Sequence, residues 1–140
     1  MSSAIAYISA FVVAYLSAHI IKYLLTPSGK RGLSVWLSSG GMPSSHTAIM
    51  VALASTIYFN EGVSDLFAVV AVLSTIIIYD ALNSRRSVGE QGLVLLKLIE
   101  KSPFAKDPLP RVAIGHKPAE ALAGGVLGVV VGYFVSLLIV

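Results

Sequence analysis

Residues 40–47 read Gly-Gly-Met-Pro-Ser-Ser-His-Thr, a short polar stretch between two apolar runs. The two glycines and Pro43 end any regular secondary structure that precedes them. The serines after Pro43 favour a new helix, because proline tolerates the first turn and a serine hydroxyl accepts from the unpaired N–H groups there. A helix that starts in this way offers a site for anions. His46 at such a start indicates phosphate chemistry, with Ser44 and Ser45 as candidate phosphate ligands.

The chain around this stretch is too apolar for an ordinary soluble domain. It has 140 residues, of which 56% are hydrophobic and 12% charged, and its mean hydropathy is +0.83. This composition is typical of an integral membrane protein, and the length favours one domain over residues 1–140. The sequence has no cysteine, which excludes disulfides and cysteine-based chemistry. No basic run with interleaved aromatics indicates nucleic acid, so the cations suit anionic lipid or phosphate better.

Four apolar segments predict an all-α membrane protein, a compact bundle of four transmembrane helices plus one amphipathic interfacial helix. The first segment lacks the basic start and short core of a signal peptide, so we expect it to be retained. The stretches between the segments are rich in turn-forming residues. The predicted spans are 4–25, 43–59, 66–82 and 118–140, and the amphipathic helix covers 87–101.

All ten lysines and arginines fall on one side of this four-span arrangement. By the positive-inside rule, that side is cytoplasmic and both termini lie outside. The basic residues are Lys22, Lys30, Arg31, Arg85, Arg86, Lys97, Lys101, Lys106, Arg111 and Lys117.

Three spans carry small residues at every fourth position, which lets membrane helices approach closely. Lys22, Ser44 and Glu120 each extend one of these stripes, so we expect them to face helix partners rather than lipid. The glycine stripe of the last span fits a homodimer seam equally well, and both interpretations stay open. The stripes are Ala6, Ala10, Ala14 and Ala18; Ala48, Ala52 and Thr56; and Gly124, Gly128 and Gly132.

Two histidines are the candidate catalytic groups at the basic side. His46 can act as a nucleophile or exchange a proton at neutral pH. His116 precedes Glu120 by four residues, a spacing that fits a carboxylate orienting a histidine, although Glu120 also suits the dipole of a helix start. His19 is expected to be structural.

The cations at the same side have two interpretations. We expect Arg85 or Arg86 to grip phosphate, because guanidinium matches it bidentately, whereas an anchoring role is the usual one for such a pair. Lys22 either joins the site or snorkels to the interface. Arg31 either reaches the site or binds lipid headgroups. Asp80 is expected to position an arginine or lysine.

A metal site built from acidic residues and histidines is disfavoured. No short ligand spacing supports it, and the surplus of cations already neutralises a phosphate. The sequence therefore predicts neither a metal nor a cofactor.

Taken together, these motifs resemble the divergent branch of the type 2 phosphatidic acid phosphatase superfamily, which comprises membrane relatives of acid phosphatases and vanadium haloperoxidases. The resemblance covers nearly the whole chain. It is carried by residues 40–48, Tyr79-Asp80 with Arg85-Arg86, Gly89-x-Gln91, Gly115-His116-Lys117-Pro118 with Glu120 and Gly124, and Lys22.

The resemblance implies a role for each histidine. His116 would attack phosphorus and form a phosphohistidine, Glu120 would orient it, and His46 would protonate the leaving oxygen. The phosphate would be held by Ser45, Lys22 and Arg85 or Arg86, without a metal.

The chain departs from the superfamily pattern in two spacings. Lys22 and Arg31 stand further apart than in the first motif, and Gly32 takes the place of its proline. Residues 87–115 separate Arg86 from His116, where the superfamily has a much shorter connection.

The leading hypothesis is a metal-independent phosphatase that hydrolyses a lipid or polyprenyl phosphate monoester at the cytoplasmic face, with membrane lipids and that substrate as its partners. One alternative is a non-catalytic membrane protein that binds anionic lipid through the same face. The other is a lipid phosphotransferase that passes the phosphoryl group to an alcohol.

Overall fold

The computed structural model of the chain describes residues 3–36, 40–103, 112 and 114–139. Within these ranges the regular structure is entirely helical, with a 3-10 turn at Ser28–Lys30. The helices are α1 (Ser3–Leu25), α2 (Leu33–Trp36), α3 (Ser45–Glu61), α4 (Asp65–Leu82), α5 (Ser84–Ile99) and α6 (Pro118–Ile139).

Local capping chemistry sets the helix starts. The Ser44 hydroxyl accepts from the N–H of Thr47 at 3.4 Å, which makes Ser44 the N-cap of α3. The prediction of a helix start in this stretch is thus confirmed, but α3 begins two residues after Pro43. At the next helix, the Ser64 hydroxyl accepts from the N–H of Phe67 at 3.2 Å and caps α4.

Three stretches among the described residues are long and apolar enough to cross a membrane, namely Ser3–Leu25, Asp65–Ile99 and Pro118–Ile139. Helix α3 has 17 residues, and at about 1.5 Å per residue it falls short of a hydrocarbon core about 30 Å thick. The all-helical class is confirmed, whereas the count of four transmembrane helices is not.

Helix α5 differs from the amphipathic helix predicted over 87–101. It begins at Ser84, because Asn83 interrupts the helical path of α4 for one residue only, and the N–H of Ser87 bonds to the Asn83 carbonyl at 2.9 Å. As a result, Arg85 and Arg86 lie in the first turn of α5.

Helix α3 is the centre of the bundle and packs against α1, α4 and α6. The small residues predicted to face helix partners do so. In α1 and α3 they have no exposed surface; they are Ala6, Ala10, Ala14, Ala18, Ala48, Ala52 and Thr56.

The glycine stripe of α6 packs on α3 within the same chain. A methyl group added at Gly124 would lie 2.4 Å from the Ser44 carbonyl oxygen, and one at Gly128 would lie 2.7 Å from that of Ala48. Any larger residue would therefore force the two helices apart. Because this face is occupied inside the chain, the homodimer, which stays a prediction, has to use another surface.

Two backbone hydrogen bonds tie the polar ends of the helices together. The N–H of Ser44 bonds to the Glu120 carbonyl at 2.9 Å, which joins the starts of α3 and α6. The N–H of His116 bonds to the Ala81 carbonyl at 3.1 Å, which holds the segment before α6 against the end of α4.

Candidate active site

A cavity of about 530 Å³ opens where these helix ends converge. It is referred to below as the cavity. Its walls come from α1, α2, the start of α3, the end of α4, the start of α5 and the segment before α6. The lining residues are Tyr15, His19, Lys22, Trp36, Gly40, Ser45, His46, Ile49, Asp80, Ser84, Arg85, Val88, Ile114, Gly115 and His116.

His116 is buried, with 5% of its surface exposed, and its Nδ1 lies 2.8 Å from the Glu120 Oε2. The same carboxylate oxygen accepts from the backbone N–H of Lys117 at 3.3 Å. An ionised carboxylate only accepts, so an ionised Glu120 places a proton on Nδ1, and Nε2 of the neutral ring then keeps a free electron pair. The i, i+4 spacing of the two residues thus produces the oriented histidine that the sequence predicted.

His46 faces His116 across the cavity. The centroids of the two rings are 6.3 Å apart and the ring planes are inclined by 64°. His46 lies in the first turn of α3 and is exposed, in contrast to the buried His116. The two rings are thus neighbours in the wall of one cavity.

Lys22 supplies a buried positive charge to the cavity, with 5% of its residue surface exposed. Among the residues that the structure describes, no carboxylate forms an ion pair with it. Its methylene carbons lie 3.6 Å from where a side chain at Gly41 would begin, so the turn before α3 covers the lysine stem. A buried cation without a carboxylate partner favours binding of an anion from outside the chain.

Arg85 also lines the cavity, and Asp80 holds it. The Arg85 Nε donates to the Asp80 Oδ2 at 2.7 Å, and both side chains are partly exposed. No described residue other than Asp80 accepts a hydrogen bond from Arg85, so its two terminal nitrogens remain for a further acceptor. Ser45, with 8% of its surface exposed, is also part of the cavity wall.

Four predicted site residues lie outside the cavity lining, and one of them, Glu120, still bonds to His116 from a neighbouring cleft. Ser44 has no exposed surface, and its hydroxyl accepts from Thr47. Arg86 pairs with Glu90 at 3.0 Å and faces a separate cleft. Arg31 donates to the carbonyls of Thr26 and Leu24, both at 2.8 Å, so it satisfies the open end of α1.

The aromatic wall of the cavity was not predicted as part of a site. His19 is buried, and its ring lies 4.2 Å from that of Tyr15 and 5.2 Å from that of Trp36, centroid to centroid. Spacing along the sequence could have placed Tyr15 and His19 in the site with Lys22, because positions 15, 19 and 22 share one face of a helix. Trp36 carried no such signal, since the loop after α1 decides where it lies.

No cluster of three acidic or histidine side chains suited to a metal ion occurs in the described part of the chain. The described lining of the cavity contains three histidines, of which His116 is oriented by a carboxylate, and the cations Lys22 and Arg85.

Comparison with known proteins adds a family relationship. A family model described as "Divergent PAP2 family" matches residues 3–131. The uncharacterized membrane protein YuiD of Bacillus subtilis (strain 168) is 39% identical, over 76% of this chain and 80% of the relative. No solved structure matches the chain.

Proposed function

Because the chain belongs to the divergent PAP2 family, we propose that it is a membrane phosphatase that hydrolyses a lipid or polyprenyl phosphate monoester through a phosphohistidine on His116. The observation that carries the proposal is the arrangement of the two histidines. His116 is held through Nδ1 by Glu120 at 2.8 Å, and its ring centroid lies 6.3 Å from that of His46 in the same cavity.

In the first step, the Nε2 electron pair of His116 attacks phosphorus and forms a P–N bond. The bond between phosphorus and the ester oxygen breaks, and the leaving alcohol takes a proton from His46. The Glu120 carboxylate stabilises the positive charge that develops on the His116 ring, because it already accepts the Nδ1 proton.

In the second step, a water molecule attacks the phosphohistidine. His46, neutral after the first step, accepts the proton of this water as the P–O bond forms and the P–N bond breaks. Inorganic phosphate leaves, and both histidines return to their starting forms. One histidine thus serves as acid and then as base, which requires that it reach both the alcohol and the water.

Lys22, Ser45 and Arg85 are the proposed phosphate ligands. The support for Lys22 is its burial in the cavity without a carboxylate partner among the described residues. The start of α3 adds backbone N–H groups, which favour an anion at a helix N-terminus. Arg85 keeps its terminal nitrogens for phosphate while Asp80 fixes its Nε.

We place the reaction at the cytoplasmic face. The support is the distribution of lysine and arginine, all of which lie at the cavity end in the four-span topology predicted from the sequence. This orientation also puts the cavity within reach of lipid headgroups of that leaflet. To test the orientation, a cysteine is introduced beside the cavity and its access to a thiol-labelling reagent is measured. Protease access to the same region is a second test.

The test of the reaction is phosphate release from a panel of lipid phosphates by the purified protein in detergent or liposomes. We expect His116→Ala and His46→Ala to abolish release while the helical circular dichroism is kept. Thr75→Ala, an exposed hydroxyl on α4 outside the cavity, is the control and should stay within about twofold, as surface changes usually do. EDTA should spare turnover and vanadate should inhibit it.

The alternatives give different results in the same assay. Tight binding of anionic lipid with no phosphate release from any substrate would favour the non-catalytic lipid-binding protein. Transfer of phosphate to an added alcohol in preference to water would favour the phosphotransferase. A fully active His116→Ala variant, or EDTA-sensitive turnover, would contradict the proposed mechanism.

A further inference from the structure

A pocket at the end of the bundle opposite the cavity takes no part in the proposed reaction. It has a volume of about 390 Å³ and is referred to below as the far pocket. This size falls within the range of about 300–1,000 Å³ that is typical of small-molecule sites. Its described lining comes from the ends of α3 and α6 and consists of Phe59, Asn60, Tyr133, Ser136 and Leu137.

The far pocket lies at the membrane boundary away from the cavity. Asn60 is the second-last residue of α3, a helix that carries His46 in its first turn. Helix α6 has 22 residues and Ser136 lies in its last turn. At about 1.5 Å per residue, α6 is about 33 Å long, which matches a hydrocarbon core about 30 Å thick. The pocket is therefore at the depth where the chains of the opposite leaflet meet their headgroups.

No charged side chain is among the described residues that line the far pocket. This distinguishes it from the cavity, whose lining includes Lys22 and Arg85. An ionised headgroup would have to leave water for a wall without a counter-charge, which is costly. The lining therefore favours an uncharged ligand.

Two polar side chains of the far pocket have unused hydrogen-bonding capacity. The amide nitrogen of Asn60 is buried and has no partner among the described residues. A half-turn about the last side-chain bond exchanges this nitrogen with the amide oxygen, so the amide can present its donor to the pocket. The Ser136 hydroxyl donates to the Gly132 carbonyl at 2.9 Å, which uses its one proton and leaves its oxygen as an acceptor.

The rings of Phe59 and Tyr133 form the apolar part of the wall. Their centroids are 5.5 Å apart and their planes are inclined by 75°. Both side chains are partly exposed, and Leu137 in the same lining is exposed as well. Together they offer an apolar surface along which an alkyl chain can lie.

We propose that the far pocket binds an uncharged lipid with a hydroxyl headgroup, such as a long-chain alcohol or a monoacylglycerol. A hydroxyl accepts and donates at once, so it can accept from the Asn60 amide and donate to the Ser136 oxygen. The alkyl chain then lies against the two rings and Leu137. Occupancy of this pocket does not depend on hydrolysis in the cavity.

Photoaffinity labelling of the purified protein in liposomes is the test. A hexadecanol with a photoreactive group near its hydroxyl is compared with the matching hexadecanesulfonate, and the adducts are mapped by mass spectrometry. The alcohol should label the ends of α3 and α6, and unlabelled hexadecanol should displace it. The sulfonate should label these ends about tenfold less, because burying a charge without a partner is costly.

Two variants remove the polar groups of the far pocket one at a time. Asn60→Leu keeps the approximate side-chain volume, and half-displacement should then need about fivefold more unlabelled hexadecanol, the effect of one neutral hydrogen bond. Ser136→Ala should have a similar effect, because it removes the acceptor. Thr75→Val is the control, since it removes an exposed hydroxyl of α4 that does not line the far pocket, and it should keep the wild-type displacement.

Equal labelling of the far pocket by the alcohol and the sulfonate overturns the proposal. So does labelling by the alcohol that lies only elsewhere in the chain, or unchanged displacement in either variant. If Asn60→Leu does not fold, Ser136→Ala decides alone.

Discussion

Two spaces in the molecule share Gly40, Ile114 and Gly115 as a common wall but carry different charge. One is the cavity of about 530 Å³ that holds the two facing histidines. The other is a cleft of about 370 Å³, which Arg86, Lys117, Glu90 and Glu120 line together with Gly41 and Leu93.

Each space holds one arginine–carboxylate pair, Arg85 with Asp80 in the cavity and Arg86 with Glu90 in the cleft, but the two spaces differ in their lysines. Among the described lining residues, two cations face two carboxylates in the cleft, but two cations face a single carboxylate in the cavity. Lys22 of the cavity is buried, whereas Lys117 of the cleft is exposed to solvent. Under the proposed function, the buried lysine is therefore the cation that would gain most from a bound phosphate. The cavity cations are Lys22 and Arg85, with Asp80 as its carboxylate.

The largest expected effect comes from exchanging a carboxylate for an amide in the cleft. Glu120→Gln should lower kcat by roughly 10²–10⁴-fold with little change in KM, because a neutral amide stabilises a charged His116 ring much less than the carboxylate does. Glu90→Gln is the matched control, since Glu90 pairs only with the exposed Arg86 among its described contacts and should stay within about twofold. Phosphate-release kinetics measure both, and equal losses would contradict the distinct role of Glu120.

A smaller loss of phosphate-release rate should follow from adding a methyl group to the wall that the cavity and the cleft share. At Gly115 the added carbon would lie 2.5 Å from the backbone nitrogen of Arg86, so the segment that carries His116 must move away from α5. A displacement of about 1 Å at a reacting group can cost about 100-fold in rate, which is the loss expected for Gly115→Ala.

Gly29→Ala is the matched control for that change, because nothing lies within 4 Å of the added carbon. It should leave phosphate release within about twofold of the wild type. Circular dichroism separates a local shift from unfolding. Full activity of Gly115→Ala would show that the wall between the two spaces does not position His116.

The packing of the bundle was largely predictable from the sequence. Alanines and glycines four residues apart occupy one face of a helix, and such faces are the ones that membrane helices bury against each other. The buried Ala10, Ala52 and Gly128 confirm that argument. The meeting of His116 with Glu120 was predictable for a different reason, since a glutamate in the first turn of a helix reaches back to the residues just before the helix start.

The division of Arg85 and Arg86 between the two spaces was not predictable. Consecutive residues on a helix point about 100° apart, so only the exact start and rotation of α5 decides which arginine enters the cavity. Those depend on the one-residue interruption at Asn83 and on the tight packing of Gly115 against the Arg86 backbone. Both are tertiary features that spacing along the sequence does not encode.

Substituting the two arginines should give the smallest effects, and the comparison of Arg85 with Arg86 distinguishes the cavity from the cleft most directly. Arg85→Gln should raise KM for a lipid phosphate by about tenfold, because it removes one charge-assisted contact to phosphate. Arg86→Gln should leave KM within about twofold and lower the free energy of unfolding by at most about 0.5 kcal/mol, because its ion pair with Glu90 is exposed. KM from phosphate release and denaturant unfolding in detergent measure the two effects. A larger rise in KM for Arg86→Gln than for Arg85→Gln would reverse the assignment, because the charge needed by the substrate would then come from the cleft.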